Sequence, residues 1–320
     1  MKEHHLKALV QVAESGSIRG AARAINLSQS ALTKALRELE EDVGAELLRR
    51  SYKGIEFTDA GATLLHRARL ALSILDKAKA EIASLHGGRS VRLAIAVTPL
   101  IGALELPQIL KEFERLQPNA ELTLSEGLLT TVLPDLIEGR LDFAVAIADP
   151  GDLPYEVEFH ALCTIRPAIG GRIGHPLAEA SSWDDLKDAQ WALNLGAGSH
   201  SGHLLEWLHQ QGYQEPRNTI RCASSLLMLE LMRRTDRLSV GPARLFQDPL
   251  FGYGIQCIDV SPMPPPMAIG LLTVRGLPLC GPAKQLATLF ERHLAFLDRL
   301  EKQEAPSGAS CPLRAAAPRI

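Results

Sequence analysis

The sequence predicts an α+β multidomain chain: an N-terminal winged helix-turn-helix, a long linker helix, and a C-terminal α/β region built as two lobes. Three observations carry this expectation. Three amphipathic helical segments, broken at Gly16-Ser17 and at Asn26-Leu27-Ser28, fill the first 40 residues. A regular apolar heptad follows, and beyond Gly87-Gly88 apolar strands alternate with amphipathic helices, which predicts parallel sheets with helices on both faces. At 320 residues the chain also exceeds the size at which one core keeps growing, and 46% hydrophobic with only 5% aromatic residues suits Leu/Ala/Val-rich helices and buried strands.

Leu6, Leu9, Val10 and Ala13 mark one face of a first helix, which Gly16 can end in a left-handed conformation while Ser17 caps the next. In the second helix, Ile18 to Ala24, the pair Ala21-Ala22 lets another helix backbone approach closely. Ser28 is a good N-cap for a third helix, running to Glu40, whose Ala31, Leu32, Ala35, Leu36 and Leu39 are expected to pack inward. Its other face is Gln29, Ser30, Thr33, Lys34 and Arg37. From Leu47 to Thr58 two short strands are joined by a basic, Gly-containing turn, the pattern of a wing.

Thr58 can cap a long helix starting near Asp59. Leu64, Ala68, Ala71, Leu75, Ala78, Ile82 and Leu85 recur at spacings of 4 and 3, an a/d seam on a helix roughly 40 Å long that asks for a partner helix, against the alternative of a helix lying on its own domain. His86-Gly87-Gly88 then breaks the helix and starts a hinge. The organisation expected is a winged domain over 1–58, a dimerising linker and hinge over 59–88, and an α/β domain over 89–303. Within it, lobe I covers 89–161 and 267–303 and lobe II covers 162–266. The Pro-rich segment from Ser261 to Pro266 is read as a crossover between them, and residues 304–320 as a disordered tail.

Composition narrows the class. Residues 1–90 hold 14 Lys/Arg against 11 Asp/Glu, and the remainder 20 against 26, so phosphate contacts belong at the basic end. No run is apolar and long enough for a membrane span, and the N-terminus lacks the apolar stretch of a signal peptide, so a cytoplasmic location without membrane partners is expected. Five cysteines without a C-x-x-C pair indicate neither a disulfide framework nor a zinc ribbon. His200, His203 and His209 lack a carboxylate or thiol at ligand spacing, so no metal and no cofactor is expected.

Residues 3 to about 300 resemble a LysR-type transcriptional regulator. The resemblance rests on Ser15-Gly16-Ser17-Ile18-Arg19-Gly20-Ala21-Ala22, on Leu27-Ser28-Gln29-Ser30-Ala31-Leu32-Thr33-Lys34, on Leu36-x-x-Leu39-Glu40 and on Phe57-Thr58-x-Ala60-Gly61. The family usually carries Pro, Ser and Arg where Ser30, Thr33 and Lys34 stand, and these departures bear on base preference, since Lys grips guanine less directionally than Arg. The third helix, inserted in a major groove, brings Gln29 and Ser30 to base edges with Thr33 and Lys34 one turn later; the alternative is a solvated polar face. Arg37, Arg49, Arg50 and Lys53 read as backbone contacts, Lys53 at the wing tip.

The resemblance also implies a periplasmic-binding-protein-like domain holding a small-molecule effector between its lobes. Local sequence agrees: Thr98-Pro99-Leu100, Thr130-Thr131 and Ser199-His200-Ser201 each place hydroxyls between a strand and a helix. Convergence of three such helix starts would favour an organic or aromatic acid, with plain N-capping as the alternative at each one. Expected partners are double-stranded promoter DNA, the effector, and a second copy of the chain in a homodimer or homotetramer, with RNA polymerase a further candidate. The competing reading is a solute-binding protein or enzyme with an appended helical domain. The absence of G-x-S-x-G, of a P-loop and of a strand-following G-x-G-x-x-G counts against the common enzymes.

Overall fold

The computed structural model describes residues 1–51, 54–85, 91–196 and 198–303. The chain divides into two compact units, Met1–Arg92 with Pro134–Asp142, and Leu93–Leu133 with Phe143 onward. The proposed hinge at 86–88 and the tail at 304–320 lie outside the described residues.

In the first unit, local chemistry sets the helix ends. Helix α1 (Glu3–Ser15) stops at Gly16, whose φ of 65° is the left-handed conformation that a Cβ would strain. Ser17 caps α2 (Ile18–Ala24) by accepting from the Gly20 N–H, and Asn26, at φ 55°, turns the chain toward Ser28. The Ser28 hydroxyl accepts from the Ala31 N–H at 3.1 Å and opens α3 (Gln29–Val43). Leu9, Val12, Ala21, Leu32, Leu36 and Leu39 meet in one core. Each buried Leu there contributes roughly 1.5–3 kcal/mol.

One expected core residue is corrected. Ala31 is exposed, because the buried stripe of α3 starts at Leu32 and continues through Ala35, Leu36 and Leu39.

Strands β1 (Leu48–Ser51) and β2 (Gly54–Phe57) pair antiparallel as the wing. Glu40 anchors its base by accepting from the N–H groups of Leu47 (2.8 Å) and Leu48 (3.3 Å). Thr58 accepts from the Gly61 N–H and donates to the Glu46 carbonyl, so it caps α4 (Asp59–Leu85) and ties it to the wing. Gly61 is required there: a Cβ would stand 2.0 Å from the Leu47 carbonyl oxygen.

The heptad seam of α4 is divided. Of its first half, Ala68 is buried in the unit's own core and Leu64 and Ala71 partly so, beside the buried Leu65 and Leu72, which stand outside the seam. Further along, Leu75 (42%), Ala78 and Ile82 (57%) are exposed. The first half of the seam therefore serves its own domain, and only the second half is open to a partner. On the same helix Arg69 donates to Glu138 (2.8 Å) and Lys77 pairs with Asp142 (2.7 Å), which accounts for the inclusion of residues 134–142 in this unit.

The second unit holds two five-stranded sheets. The first contains β3 (Arg92–Val97), β4 (Glu121–Glu126), β5 (Phe143–Ile147), β6 (Val157–Ile165) and β12 (Met267–Val274), in the order β4-β3-β5-β12-β6. The second contains β7 (Pro167–Arg172), β8 (Gln190–Leu193), β9 (Asn218–Arg221), β10 (Arg237–Pro242) and β11 (Ile255–Ile258), in the order β11-β7-β10-β8-β9. Between strands run α5 (Pro99–Leu104), α6 (Leu106–Leu116), α7 (Leu129–Ile137), α8 (His200–Gln210), α9 (Ser225–Arg234) and α10 (Ala243–Gln247), and α11 (Gly281–Gln303) closes the described chain.

The expectation of parallel sheets is corrected to mixed ones. β3 pairs parallel with β5, and β8 with both β9 and β10, but β12 runs antiparallel to β5 and β6, and β7 antiparallel to β10 and β11. Strands β6, β7 and β11, none of them a plain apolar run in the sequence, supply most of these antiparallel pairs. β7 reads Pro-Ala-Ile-Gly-Gly-Arg, too poor in side chains to show periodicity. Its Gly170 and the Gly241 of β10 are small because the Phe246 ring lies on them: a Cβ at either would stand 2.9 Å from that ring.

The chain passes from the first sheet to the second at Arg166 and returns through the Pro-rich segment between β11 and β12. A division at residue 161 would cut through β6, which lies wholly in the first sheet.

Candidate functional site

The α3 face expected to read DNA is open. Gln29, Ser30, Lys34 and Arg37 are exposed and Thr33 half-buried, while the opposite stripe is locked in the core. Two of the hydroxyls are already engaged: Ser30 bonds Ser28 (3.0 Å), and Thr33 donates to the Gln29 carbonyl (2.8 Å). Thr33 therefore offers an acceptor oxygen and a methyl, whereas Gln29 keeps a full amide. Lys34 approaches Glu38 at 3.6 Å, an exposed pair of the kind worth under about 1 kcal/mol and easily exchanged for a phosphate or base.

On the wing, Arg49 is exposed and near Glu46 (3.4 Å), and Arg50 lies one residue on in β1. Lys53, at the expected wing tip, lies outside the described residues. In the same unit Lys7 and Lys79 flank Glu3, at 2.8 and 3.0 Å, and hold its carboxyl down to about 2.

In the second unit the three predicted hydroxyl clusters fall on two chambers of one cleft. Thr98, Pro99, Leu100, Ser199, His200 and Ser201 line an inner chamber of about 90 Å³, together with Ile147, Met228, Met232, Ser239, Val240 and Phe246. Thr130 and Thr131 do not reach it; with Arg221, Cys222 and Glu126 they line a wider chamber of about 440 Å³. Pro99, Leu128, Asn194 and Ser225 border both.

Which hydroxyls are available differs from the expectation. Ser199 caps α8, accepting from the Gly202 N–H and donating to the Asn194 carbonyl (2.6 Å), and Ser201 accepts from the Asn194 N–H. These two shape the loop after β8. Thr130 and Thr131 lie inside the first turn of α7 rather than before it, and Thr131 donates to the Leu128 carbonyl.

Thr98 precedes α5 without capping it, and the residue after it, Pro99, has no N–H to offer an anion. Of the three expected anion-binding helix starts, that of α5 is thereby weakened.

The inner chamber instead contains polar atoms with no partner. Thr98 is 1% exposed, Ser239 0% and His200 9%, and the Thr98 Oγ1, the Ser239 Oγ and both ring nitrogens of His200 make no hydrogen bond. Each buried polar group left so costs roughly 1–3 kcal/mol. Burial, with a smaller push from the neighbouring His203, drives His200 down to about 4, so its ring is neutral at physiological pH. Ser239 escaped the sequence reading. Its signal was a hydroxyl between Leu238 and Val240, in a strand that is otherwise buried and apolar.

Comparison with known proteins places this geometry in a family. Residues 86–295 match the model for the LysR substrate binding domain, and residues 4–62 that for the bacterial regulatory helix-turn-helix protein, lysR family. The chain is 26% identical over 241 residues to the HTH-type transcriptional regulator TdcA of Escherichia coli (strain K12), covering 75% of this chain and 77% of that protein. It is 27% identical over 310 residues to a hydrogen peroxide-inducible genes activator of Dickeya chrysanthemi, covering 95% and 100%.

The fold is also similar to CbnR as crystallised full-length with its target DNA, with a TM-score of 0.63 at 20% identity, over 92% of this chain and 100% of that one. Among the described residues no helix is long and apolar enough to cross a membrane. With a helix-turn-helix unit whose polar face is free and an α/β unit built around a ligand-sized cleft, the chain belongs to the LysR family of transcriptional regulators, DNA-binding proteins with an effector-binding domain, and is not an enzyme.

Proposed function

We propose that this regulator reads promoter DNA with Gln29, Ser30, Thr33 and Lys34 in the major groove, and uses Arg37, Arg49, Arg50 and Lys53 on the phosphate backbone. The carrying observation is the orientation of α3: its apolar stripe is buried, its start is fixed by the Ser28 cap, and its polar face is solvent-exposed. A rigid helix with a free first turn is what groove insertion needs.

The small-molecule effector binds in the cleft, with Arg221 offering the wide chamber a cation for an organic acid and Glu126 discouraging one at the same rim. The exposed Leu75, Ala78 and Ile82 of α4 pair with a second copy, giving a homodimer or homotetramer that spans two major grooves. RNA polymerase is its further partner, and the cytoplasm its location.

The test is a gel-shift and footprint series with the chain's own upstream DNA over a salt gradient, with and without candidate organic acids. Salt-sensitive binding of one footprint, altered by an acid, supports the reading. A chain that binds all DNA alike at low salt and ignores every acid defeats it.

A further inference from the structure

The two chambers of the cleft differ in chemistry. The wide one has Arg221, Glu126 and exposed hydroxyls at its wall. The inner one has no Lys, Arg, Asp or Glu among its lining residues: its wall is Leu, Ile, Met, Val, Pro and Phe, interrupted by small polar residues. A carboxylate moved into such a wall loses its hydration and finds no cation. Yet the wall is not wholly apolar, because Thr98, Ser239 and His200 are among its residues, and their buried hydroxyls and ring nitrogens have nothing to bond. A hydroxyl and a neutral imidazole together can both donate and accept, which suits a ligand group that does the same.

We infer that the inner chamber binds an uncharged molecule with a compact apolar body and a hydroxyl or similar neutral hydrogen-bonding group, the hydroxyl meeting Thr98, Ser239 and His200. This rests on the reading of the cleft as the effector site and specifies what its inner half accepts.

Size limits the body. The chamber encloses about 90 Å³, less than the roughly 150 Å³ of an apolar cavity that holds benzene, so it takes no more than one ring, and part of that ring extends toward the wide chamber past Pro99 and Asn194. The ring rests between Met228, Met232 and Phe246, where thioether and aromatic edges tolerate small adjustments. Any charged group on a larger effector stays outside, on the Arg221 side of the Pro99–Asn194 border.

Neutrality of the ligand also agrees with the state of His200. Its titration is displaced to about 4, so at neutral pH the ring presents no positive charge to an anion.

The experiment compares phenol, benzoate and toluene, three probes sharing one ring. Binding to the full chain at pH 7.5 is followed by titration calorimetry and by the histidine ring NMR signals of wild type, Thr98→Val/Ser239→Ala and His200→Phe proteins. Phenol is expected to bind at least tenfold more tightly than benzoate and to move the His200 signals. Thr98→Val/Ser239→Ala should lower phenol affinity about tenfold while leaving toluene within twofold, a split that separates lost hydrogen bonds from a damaged fold.

Benzoate binding as tightly as phenol, with the same His200 signals moving, overturns the inference while leaving the effector cleft intact. Failure of all three probes to move those signals overturns the inference too. If in addition no organic acid alters DNA binding, the effector reading falls with it.

Discussion

The two candidate sites use their polar side chains in opposite ways. On α3 the groups proposed for DNA are exposed apart from the half-buried Thr33, and the hydroxyls among them are already bonded to Ser28 or to the helix backbone. In the inner chamber Thr98, Ser239 and His200 are buried and bonded to nothing. An exposed polar face costs little to maintain, so it can read a long ligand by many weak, exchangeable contacts. A buried unbonded hydroxyl is costly in the free protein, so a small ligand that satisfies it gains much from one contact. The helix is suited to selection among similar sequences, and the cavity to all-or-none acceptance of one group.

This contrast can be broken in several places, beginning where the effect is largest. Leu32→Ala removes a fully buried side chain from the α3 stripe. It should cost 2–5 kcal/mol in the first unit, at the scale typical of Leu truncation, and abolish DNA binding. Denaturant titration together with ligand titration checks it, the expectation being that cleft binding survives; loss of both functions would show that the two units do not act separately.

Next comes pH. His200 titrates near 6.5 when unfolded and near 4 when buried, so unfolding takes up a proton below about pH 6.5. Stability from keeping this ring neutral is fully present above pH 6.5 and is lost as pH falls toward 4, by up to about 3 kcal/mol at 1.36 kcal/mol per unit. Melting curves from pH 7 to 5 should show the second unit weakening, and His200→Phe should flatten that slope; an equally steep slope in the variant would refute the assignment.

On the DNA side, Gln29→Ala should change discrimination between operator sequences by 1–3 kcal/mol without changing the salt slope, as measured by competition gel shifts over a panel of sites. A uniform loss over all sites would make Gln29 a backbone contact instead. The smallest effect belongs to the cap. Ser28→Ala loses the bond to the Ala31 N–H and should destabilise the first unit by about 1 kcal/mol. Circular dichroism melting reads this, and Ser28→Asp should restore it.

Much of the DNA-binding unit was legible because its signals are local. Gly16, Ser17 and Ser28 act within four residues of themselves, and their left-handed turn and two caps stand as expected. The wing and Thr58 follow the same logic. Ala31 was misjudged because helical spacing marks an apolar residue without saying whether another helix faces it.

In the α/β unit, strands with plain apolar runs were visible, while β7 and β11 were not. β7 is held by pairing on both edges and by Phe246 lying on Gly170, none of which is near it in sequence.

By itself, then, the sequence determined the order of elements in the first unit, the caps at Gly16, Ser17 and Ser28, the polar face of α3 and the position of hydroxyls after three strands, since each depends on residues within a turn or two. Tertiary structure alone decided which half of the α4 seam is covered, the antiparallel entry of β7 and β12, and the division of the cleft into two chambers. It also decided which hydroxyls are free. Ser199 and Ser201 are engaged by Asn194, while Thr98 and Ser239, 141 positions apart, end at the same cavity wall. Burial and the presence of a partner are properties of the space around a group, and that space is assembled by segments distant in the chain.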